Sequence, residues 1–132
     1  MPSDEQSIIA VNEAFYAAFA GRDLTVMEDL WAQSRPISCI HPGWGALHDR
    51  PSIMASWASI LTGDEAPLIR CEHVYVRVAD TAATVVCEEV LGDSRLAATN
   101  GFVYENGAWR LWHHHAGPIA RRVTPKPKPL LN

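Results

Sequence analysis

The sequence predicts an α+β domain in which a strongly curved antiparallel sheet wraps around a long first helix. Three observations lead to this prediction. In the first half of the chain apolar residues recur at helical spacing, and from residue 68 onward they alternate with polar residues, as in strands. The later segments are separated by residues typical of hairpin turns. Helices that precede a run of strands favour the α+β class, and 132 residues, 48% of them hydrophobic, suffice for one domain.

Three helices are predicted, each preceded by a side chain that can accept a hydrogen bond from the first turn. These N-cap residues are Ser3, Asp23 and Asp49. The first helix continues to Gly21 and is apolar around much of its circumference. The second is short, and the third carries Trp57 on its inner face.

Five strands are predicted, and the last four follow one another as a meander. They cover residues 37–40, 68–79, 81–91, 94–104 and 109–119. The separators in the meander are Asp80, Gly92–Asp93 and Asn106–Gly107, which are all residues that tolerate hairpin turns. Residues 1–120 are expected to form the domain, and residues 121–132, where proline alternates with lysine, an extended tail.

Composition and charge exclude several classes of function. A net charge of −4 without a basic stripe argues against nucleic-acid binding, and no apolar run is long enough for a membrane span. The acidic N-terminus lacks the apolar stretch of a signal peptide. Three widely spaced cysteines without a CxxC pair indicate reduced thiols and a cytoplasmic protein. Because no nucleotide-binding fingerprint occurs, we expect no cofactor.

The segment Trp109–Pro118 is the most informative part of the chain, because a predicted strand carries two tryptophans and three consecutive histidines. Successive side chains of a strand point to opposite faces. His114 therefore lies on one face of the sheet, and His113 and His115 lie on the other. At least one face combines titratable groups with large aromatic rings, as a ligand pocket does.

This order of elements, together with the segments Ala20–Leu24 and Asn106–Arg110, resembles the SnoaL-like branch of the nuclear transport factor 2-like superfamily over roughly residues 5–119. The resemblance implies a cone-shaped, cystatin-like sheet that closes around a pocket, with an outer face that often forms dimers. The superfamily contains ketosteroid isomerase, polyketide cyclases, dehydratases, a kinase association domain and transport adaptors. The resemblance therefore specifies the fold better than the function.

Positions of ketosteroid isomerase are carried over by this resemblance. The Asp-Pro pair of the general base corresponds to His41–Pro42, and a histidine is a suitable base at neutral pH. The alternative is a histidine that hydrogen-bonds the backbone in the tight turn at Pro42–Gly43. The protonated aspartic acid of the oxyanion hole corresponds to Asn100, an amide that could polarise a carbonyl or bond to a neighbouring side chain. The oxyanion tyrosine corresponds to Phe15, or to Tyr16 if the inserted Arg22 shifts the count.

Which histidine shares a face with Asn100 depends on the last hairpin. A two-residue turn at Asn106–Gly107 places His113 there, whereas a three-residue loop at 105–107 places His114 there. The resemblance favours the three-residue loop. His114 is then expected to line the cavity.

Glu89 is a further candidate on the same face. A two-residue turn at Gly92–Asp93 places it on the side of Asn100. A carboxylate close to His114 is expected to orient the imidazole ring and to raise its pKa.

These observations predict a pocket protein that binds a small apolar or aromatic molecule. The catalytic candidates are His41, Asn100 and His114. The ligand-binding candidates are aromatic: Phe15, Trp44, Trp57, Phe102 and Trp112. Trp44 follows His41 between glycines and fits a pocket rim, whereas Trp57 also fits a core position.

Two functions are left as alternatives. The first is a cofactor-free isomerase, cyclase or dehydratase, in which His41 removes a proton next to a carbonyl, Asn100 stabilises the enolate and His114 returns or orients the proton. The second is a non-catalytic ligand-binding or association module. In both, a homodimer through the sheet face of His113 and His115 is expected. These two histidines could chelate a metal, but no third ligand is placed by spacing, so no metal site is predicted.

Overall fold

A computed structural model describes residues 3–63 and 68–123 and confirms the α+β fold class. The elements, in chain order, are α1 (Asp4–Ala20), α2 (Leu24–Leu30), β1 (Ser38–Ile40), α3 (Arg50–Leu61), β2 (Ile69–Ala79), β3 (Ala82–Leu91), β4 (Ser94–Glu105) and β5 (Ala108–Pro118). Most of the segment predicted to be a tail, residues 124–132, lies outside the described residues. No helix of the described part is both long and apolar enough to cross a bilayer.

The predicted N-caps are present in all three helices. The Ser3 hydroxyl accepts a hydrogen bond from the Gln6 backbone N–H, and the Gln6 side chain accepts one from the Ser3 N–H, which makes a capping box. Asp23 and Asp49 accept the corresponding bonds at the starts of α2 and α3. These caps therefore set where each helix begins.

The five strands form one sheet in the order β1-β5-β4-β3-β2, in which β1 is parallel to β5 and the other pairs are antiparallel. The core lies between the inner face of this sheet and the helices. Its fully buried side chains include Ile8 and Phe15 of α1, Trp57 of α3, Val85 of β3 and Phe102 of β4. The sheet and α1 therefore enclose the interior in which site residues are sought.

The turn between β4 and β5 differs from the three-residue loop favoured above. Glu105 pairs with Ala108, which leaves a two-residue turn of Asn106 and Gly107 with φ values of 49° and 84°. Two positive φ values are typical of a type I′ hairpin turn, for which Asn-Gly is a preferred sequence. The prediction of a three-residue loop is wrong, because the local chemistry of the turn decides its length.

A β-bulge in β5 nevertheless brings His114 to the face of Asn100. The register shifts by one residue after Gly101, and Trp112 is the extra residue. A Cβ atom at Gly101 would lie 3.0 Å from the Trp112 Nε1 atom, so the missing side chain makes room for the indole. One inserted residue exchanges the faces of the strand residues that follow it. His113 therefore pairs with Gly101 and His114 pairs with Asn100, so His114 points inward as expected.

Candidate functional site

Several polar side chains are buried inside the sheet and lie in one group, which we call the interior cluster. Burying a polar group costs free energy unless it is hydrogen-bonded, so such a group needs an explanation beyond packing. Its members come from every layer of the fold: Asn12 and Tyr16 of α1, His41 after β1, Ser56 of α3, Glu89 of β3, Asn100 of β4 and His114 of β5. Each is at most 5% exposed.

Asn100 is at the centre of this cluster. Its Nδ2 atom donates hydrogen bonds to Asn12 Oδ1 at 2.9 Å and to Tyr16 Oη at 3.1 Å. Its Oδ1 atom lies 2.6 Å from His114 Nδ1, the imidazole nitrogen that donates to it. Because both amide hydrogens are used within the protein, Asn100 is placed to orient its neighbours rather than to donate to a ligand.

Tyr16 and Glu89 form the acidic part of the cluster. The Tyr16 hydroxyl donates to Glu89 Oε2 at 2.7 Å. Burial raises the pKa of Glu89 to about 7, although the bond from Tyr16 works in the opposite direction. Burial, and then the nearby charge of Glu89, raises the pKa of Tyr16 above its ordinary value. At neutral pH the Glu89 carboxyl is therefore present in both its acid and its base form.

His114 is a neutral imidazole beside this carboxyl. Burial, followed by repulsion from the charges of His41, His113 and His115, lowers the pKa of His114 to about 3. The expectation that a carboxylate raises this pKa is therefore wrong, because desolvation is the largest cause and the charges that act on His114 are those of other histidines. The His114 Nε2 atom lies 3.8 Å from Glu89 Oε2, which is too long for a direct hydrogen bond.

His41 is the second neutral imidazole of the cluster. Its Nε2 atom lies 2.8 Å from Ser56 Oγ, which itself donates to the Ile53 carbonyl oxygen at 2.6 Å. Since the serine hydrogen is used in that way, His41 Nε2 carries the hydrogen and is the donor in the bond to Ser56 Oγ, with Cys39 Sγ 3.6 Å from the same nitrogen. Burial lowers the pKa of His41 to about 4. Its ring centroid is 6.4 Å from that of His114.

Aromatic rings surround the two imidazoles. Trp57 lies 4.8 Å from His41, 5.8 Å from His114 and 5.6 Å from Phe15, measured between ring centroids. The Trp57 indole N–H is buried and has no acceptor within residues 3–63 and 68–123. Trp44 contacts His41 at 4.9 Å and is 47% exposed, so it marks the end of the cluster that reaches solvent.

The sequence-predicted residues divide into two groups. The structure brings His41, Asn100 and His114 together with Phe15, Trp57 and Trp44, which are described above. Phe102 is a fully buried core residue, and Trp112 lies over Gly101.

Sequence reasoning did not assign a role to Asn12 or Ser56, and it left Tyr16 and Glu89 as secondary candidates. A signal for two of them was present, because Asn12 and Tyr16 are four residues apart on the apolar face of the first helix. Nothing in the spacing of α3 could distinguish Ser56 from an ordinary helix serine.

The interior cluster is closely packed. Four cavities of about 280–340 Å³ open at the surface, and none of these four is lined by His41, Asn100 or His114. Two of them lie on the outer face of the sheet, where Val86 lines both. Of the described residues, no group of three or more His, Cys, Asp or Glu side chains is arranged to hold a metal ion.

Comparisons with known proteins agree with this architecture. The sequence profile of the SnoaL-like domain matches residues 8–121. F-box protein SKIP8 of Arabidopsis thaliana is 26% identical over 113 residues, which are 84% of this chain and 49% of that protein. The chain thus spans about half the length of the curated relative that it matches.

Two of the solved structures that are similar to this chain match most of its length. One is a proposed dehydratase of the NTF2-like family from Streptomyces avermitilis, with a TM-score of 0.81 and 29% identity, covering 89% of this chain and 97% of that one. The other is a proposed calcium/calmodulin-dependent protein kinase type II association domain from Thiobacillus denitrificans. It has a TM-score of 0.75 and 30% identity, and it covers 90% of this chain and 97% of that one.

Proposed function

Because this chain belongs to the SnoaL-like domain family, we propose that its interior cluster binds a small, largely apolar or aromatic molecule and transfers a proton on it without a cofactor. Proteins that share a fold often differ in function, so the argument rests on the side chains of the cluster. One observation carries it. A carboxyl group with a pKa of about 7 and two neutral imidazoles lie together in a buried, aromatic surrounding.

The roles of the residues follow from their unused atoms. His41 donates through Nε2, so its Nδ1 atom has the lone pair that can accept a proton from carbon. Glu89 in its acid form can donate a proton to an oxygen. The buried Trp57 N–H can stabilise negative charge on a carbonyl oxygen. Asn100 and Tyr16 hold His114 and Glu89 in place.

These groups suit the loss of water from a hydroxy-carbonyl compound. His41 removes the hydrogen next to the carbonyl, and the C–O bond to the hydroxyl breaks as Glu89 gives that oxygen a proton, so that water leaves and a C=C bond forms. Transfer of the proton from His41 back to Glu89 restores both groups. On a ligand that has no leaving hydroxyl, removal of a proton from carbon and its return to the ligand is an isomerisation or part of a cyclisation. The similarity to a proposed dehydratase supports the first reaction.

Access to the cluster requires movement of side chains. His41, Trp57 and His114 are at most 3% exposed. Trp44, which packs on His41 and is half exposed, follows a turn in which its backbone N–H bonds to the His41 carbonyl oxygen and Gly43 has a φ of 82°. We propose that Trp44 is the rim residue that a ligand displaces on entry.

Exchange of deuterium into a ketone probe tests the proposal without knowledge of the substrate. The protein is incubated in D2O with 2-tetralone and similar small ketones, and loss of the hydrogens next to the carbonyl is followed by proton NMR. The native protein is expected to accelerate exchange, and His41→Gln to lose about 100-fold or more of that acceleration. His48→Gln, an exposed histidine in the same loop, is the matched control. No acceleration by the native protein, or equal loss in both variants, overturns the proposal.

A second candidate function is self-association through the outer face of the sheet. Tyr75, Val86, Thr99 and His115 are paired across β2 to β5 and form one row on this face. Tyr75 is 60% and Val86 47% exposed, and two of the cavities lie along the row. Exposed apolar residues in a contiguous patch often mark an interface. The similarity to a proposed kinase association domain favours this function.

Sedimentation equilibrium tests the interface. We expect the native protein to be a homodimer and Val86→Lys to be a monomer, because a buried lysine would lose its hydration. Val26→Lys changes a similarly exposed valine on α2 and is expected to leave the dimer intact. A monomeric native protein refutes this candidate. The three free cysteines support the further proposal that the protein works in the reducing cytoplasm.

A further inference from the structure

The orientation of the His114 ring is determined by a chain of hydrogen bonds rather than by a single contact. Tyr16 gives its hydroxyl hydrogen to Glu89, so its oxygen can only accept a bond from Asn100. The Asn100 Nδ2 atom must therefore face Tyr16 and Asn12, and the Oδ1 atom must face His114. An amide oxygen accepts only, so His114 carries its proton on Nδ1. Its Nε2 atom consequently carries a lone pair.

His41 has the opposite arrangement, which provides an internal comparison. Its Nε2 atom carries the proton because Ser56 uses its own hydrogen for the Ile53 carbonyl oxygen. The interior cluster thus holds two neutral imidazoles that differ in which nitrogen is protonated. The difference follows from the hydrogen-bond partners of the two rings, and NMR can detect it directly.

The lone-pair nitrogen of His114 lies close to the Glu89 carboxyl without bonding to it. The distance of 3.8 Å between Nε2 and Oε2 exceeds a hydrogen bond, but a single oxygen atom can bond to both. Such an oxygen must donate a hydrogen to Nε2, because that atom can only accept. It can at the same time accept a hydrogen from the acid form of Glu89. A hydroxyl group satisfies both conditions, whereas a ketone or ether oxygen cannot donate.

We infer that the interior cluster recognises ligands through a hydroxyl group placed between His114 Nε2 and the Glu89 carboxyl, and that Asn100 and Asn12 are the positioning residues that make this site an acceptor. This inference rests on the proposed function and deepens it by naming the ligand class: phenols, enols and hydroxy-carbonyl compounds. A second polar atom of the cluster is also available to a ligand. The Trp57 indole, which packs against His114, has a buried N–H without an acceptor among the described residues.

Nitrogen-15 NMR of histidine-labelled protein tests the first part. In the native protein we expect His114 to be protonated on Nδ1 and His41 on Nε2. Asn100→Leu is expected to move the His114 proton toward Nε2 and to leave His41 unchanged. If that variant fails to fold, Asn100→Asp is measured instead, and its carboxylate is expected to raise the pKa of His114. A native His114 protonated on Nε2 overturns the inference without any variant.

A matched pair of probes tests the hydroxyl preference. 2-Naphthol and 2-methoxynaphthalene differ in one methyl group, and only the first can donate a hydrogen. We expect 2-naphthol to bind roughly 10- to 100-fold more tightly and to shift the His114 Nε2 signal. Equal binding of both probes at His114 overturns the hydroxyl preference but leaves a ligand pocket in place. Failure of both to shift that signal overturns the site, and the deuterium-exchange assay then reports separately on the proposed function.

Discussion

Replacing Glu89 with glutamine should change how the stability of the protein depends on pH. Folding raises the pKa of this carboxyl from its ordinary 4.5 to about 7. The folded state therefore binds the proton more tightly than the unfolded state, and the free energy of unfolding falls as the pH rises from about 4.5 to 7. At about 1.4 kcal/mol per pKa unit, the difference between 7 and 4.5 corresponds to about 3 kcal/mol. Glutamine does not ionise, so the variant lacks this loss.

The two buried imidazoles act in the opposite direction at lower pH. Burial lowers the pKa of His41 from 6.5 to about 4 and that of His114 to about 3. The unfolded state then binds protons first, and the free energy of unfolding falls as the pH drops below 6.5. The two effects overlap between pH 4.5 and 6.5, where the two histidines outweigh the single carboxyl. Maximum stability is therefore expected near pH 7.

Urea unfolding between pH 5 and 9, followed by tryptophan fluorescence, measures both effects. The stability of Glu89→Gln relative to the native protein should increase by up to about 3 kcal/mol as the pH rises from 5 to above 7, while the loss of stability below pH 6.5 that is due to the histidines is retained. Glu88→Gln is the matched control. The Glu88 carboxyl, which is next to Glu89 in the chain, bonds to Arg122 and Arg95, and these bonds lower its pKa. Parallel pH profiles of the native protein and Glu89→Gln would refute the assignment of a buried, weakly acidic carboxyl.

Three further predictions concern packing, capping and thiol reactivity. Gly101→Ala places a Cβ atom 3.0 Å from the Trp112 indole, so it should lower the free energy of unfolding by about 1–3 kcal/mol. In a Trp112→Ala background the same substitution should not lower it, and chemical unfolding of the double variant would show this. Asp49→Ala removes the N-cap of α3 and should cost about 1 kcal/mol in the same assay. The half-buried Cys71 should react with a thiol reagent before the buried Cys39, whose pKa burial raises to about 12. Mass spectrometry of partly labelled protein would contradict this order if Cys39 reacts first.

Much of the fold could be predicted from local sequence. The N-caps Ser3, Asp23 and Asp49 and the Asn-Gly turn act through bonds within a few residues, so their residue types suffice to place them. The family resemblance added His41 and Asn100, which the structure places in the interior cluster. It could not show that both N–H hydrogens of Asn100 are used within the protein, because those partners come from another element.

The sequence by itself determined the helices, the hairpins and the order of the elements. Only the tertiary structure decided the face of His114, because the bulge at Trp112 depends on the space that Gly101 leaves on the neighbouring strand. It also decided the charge of the site. Burial lowers the pKa of His114 and raises that of Glu89, and burial is a property of the packed molecule, in which residues distant along the chain exclude water together.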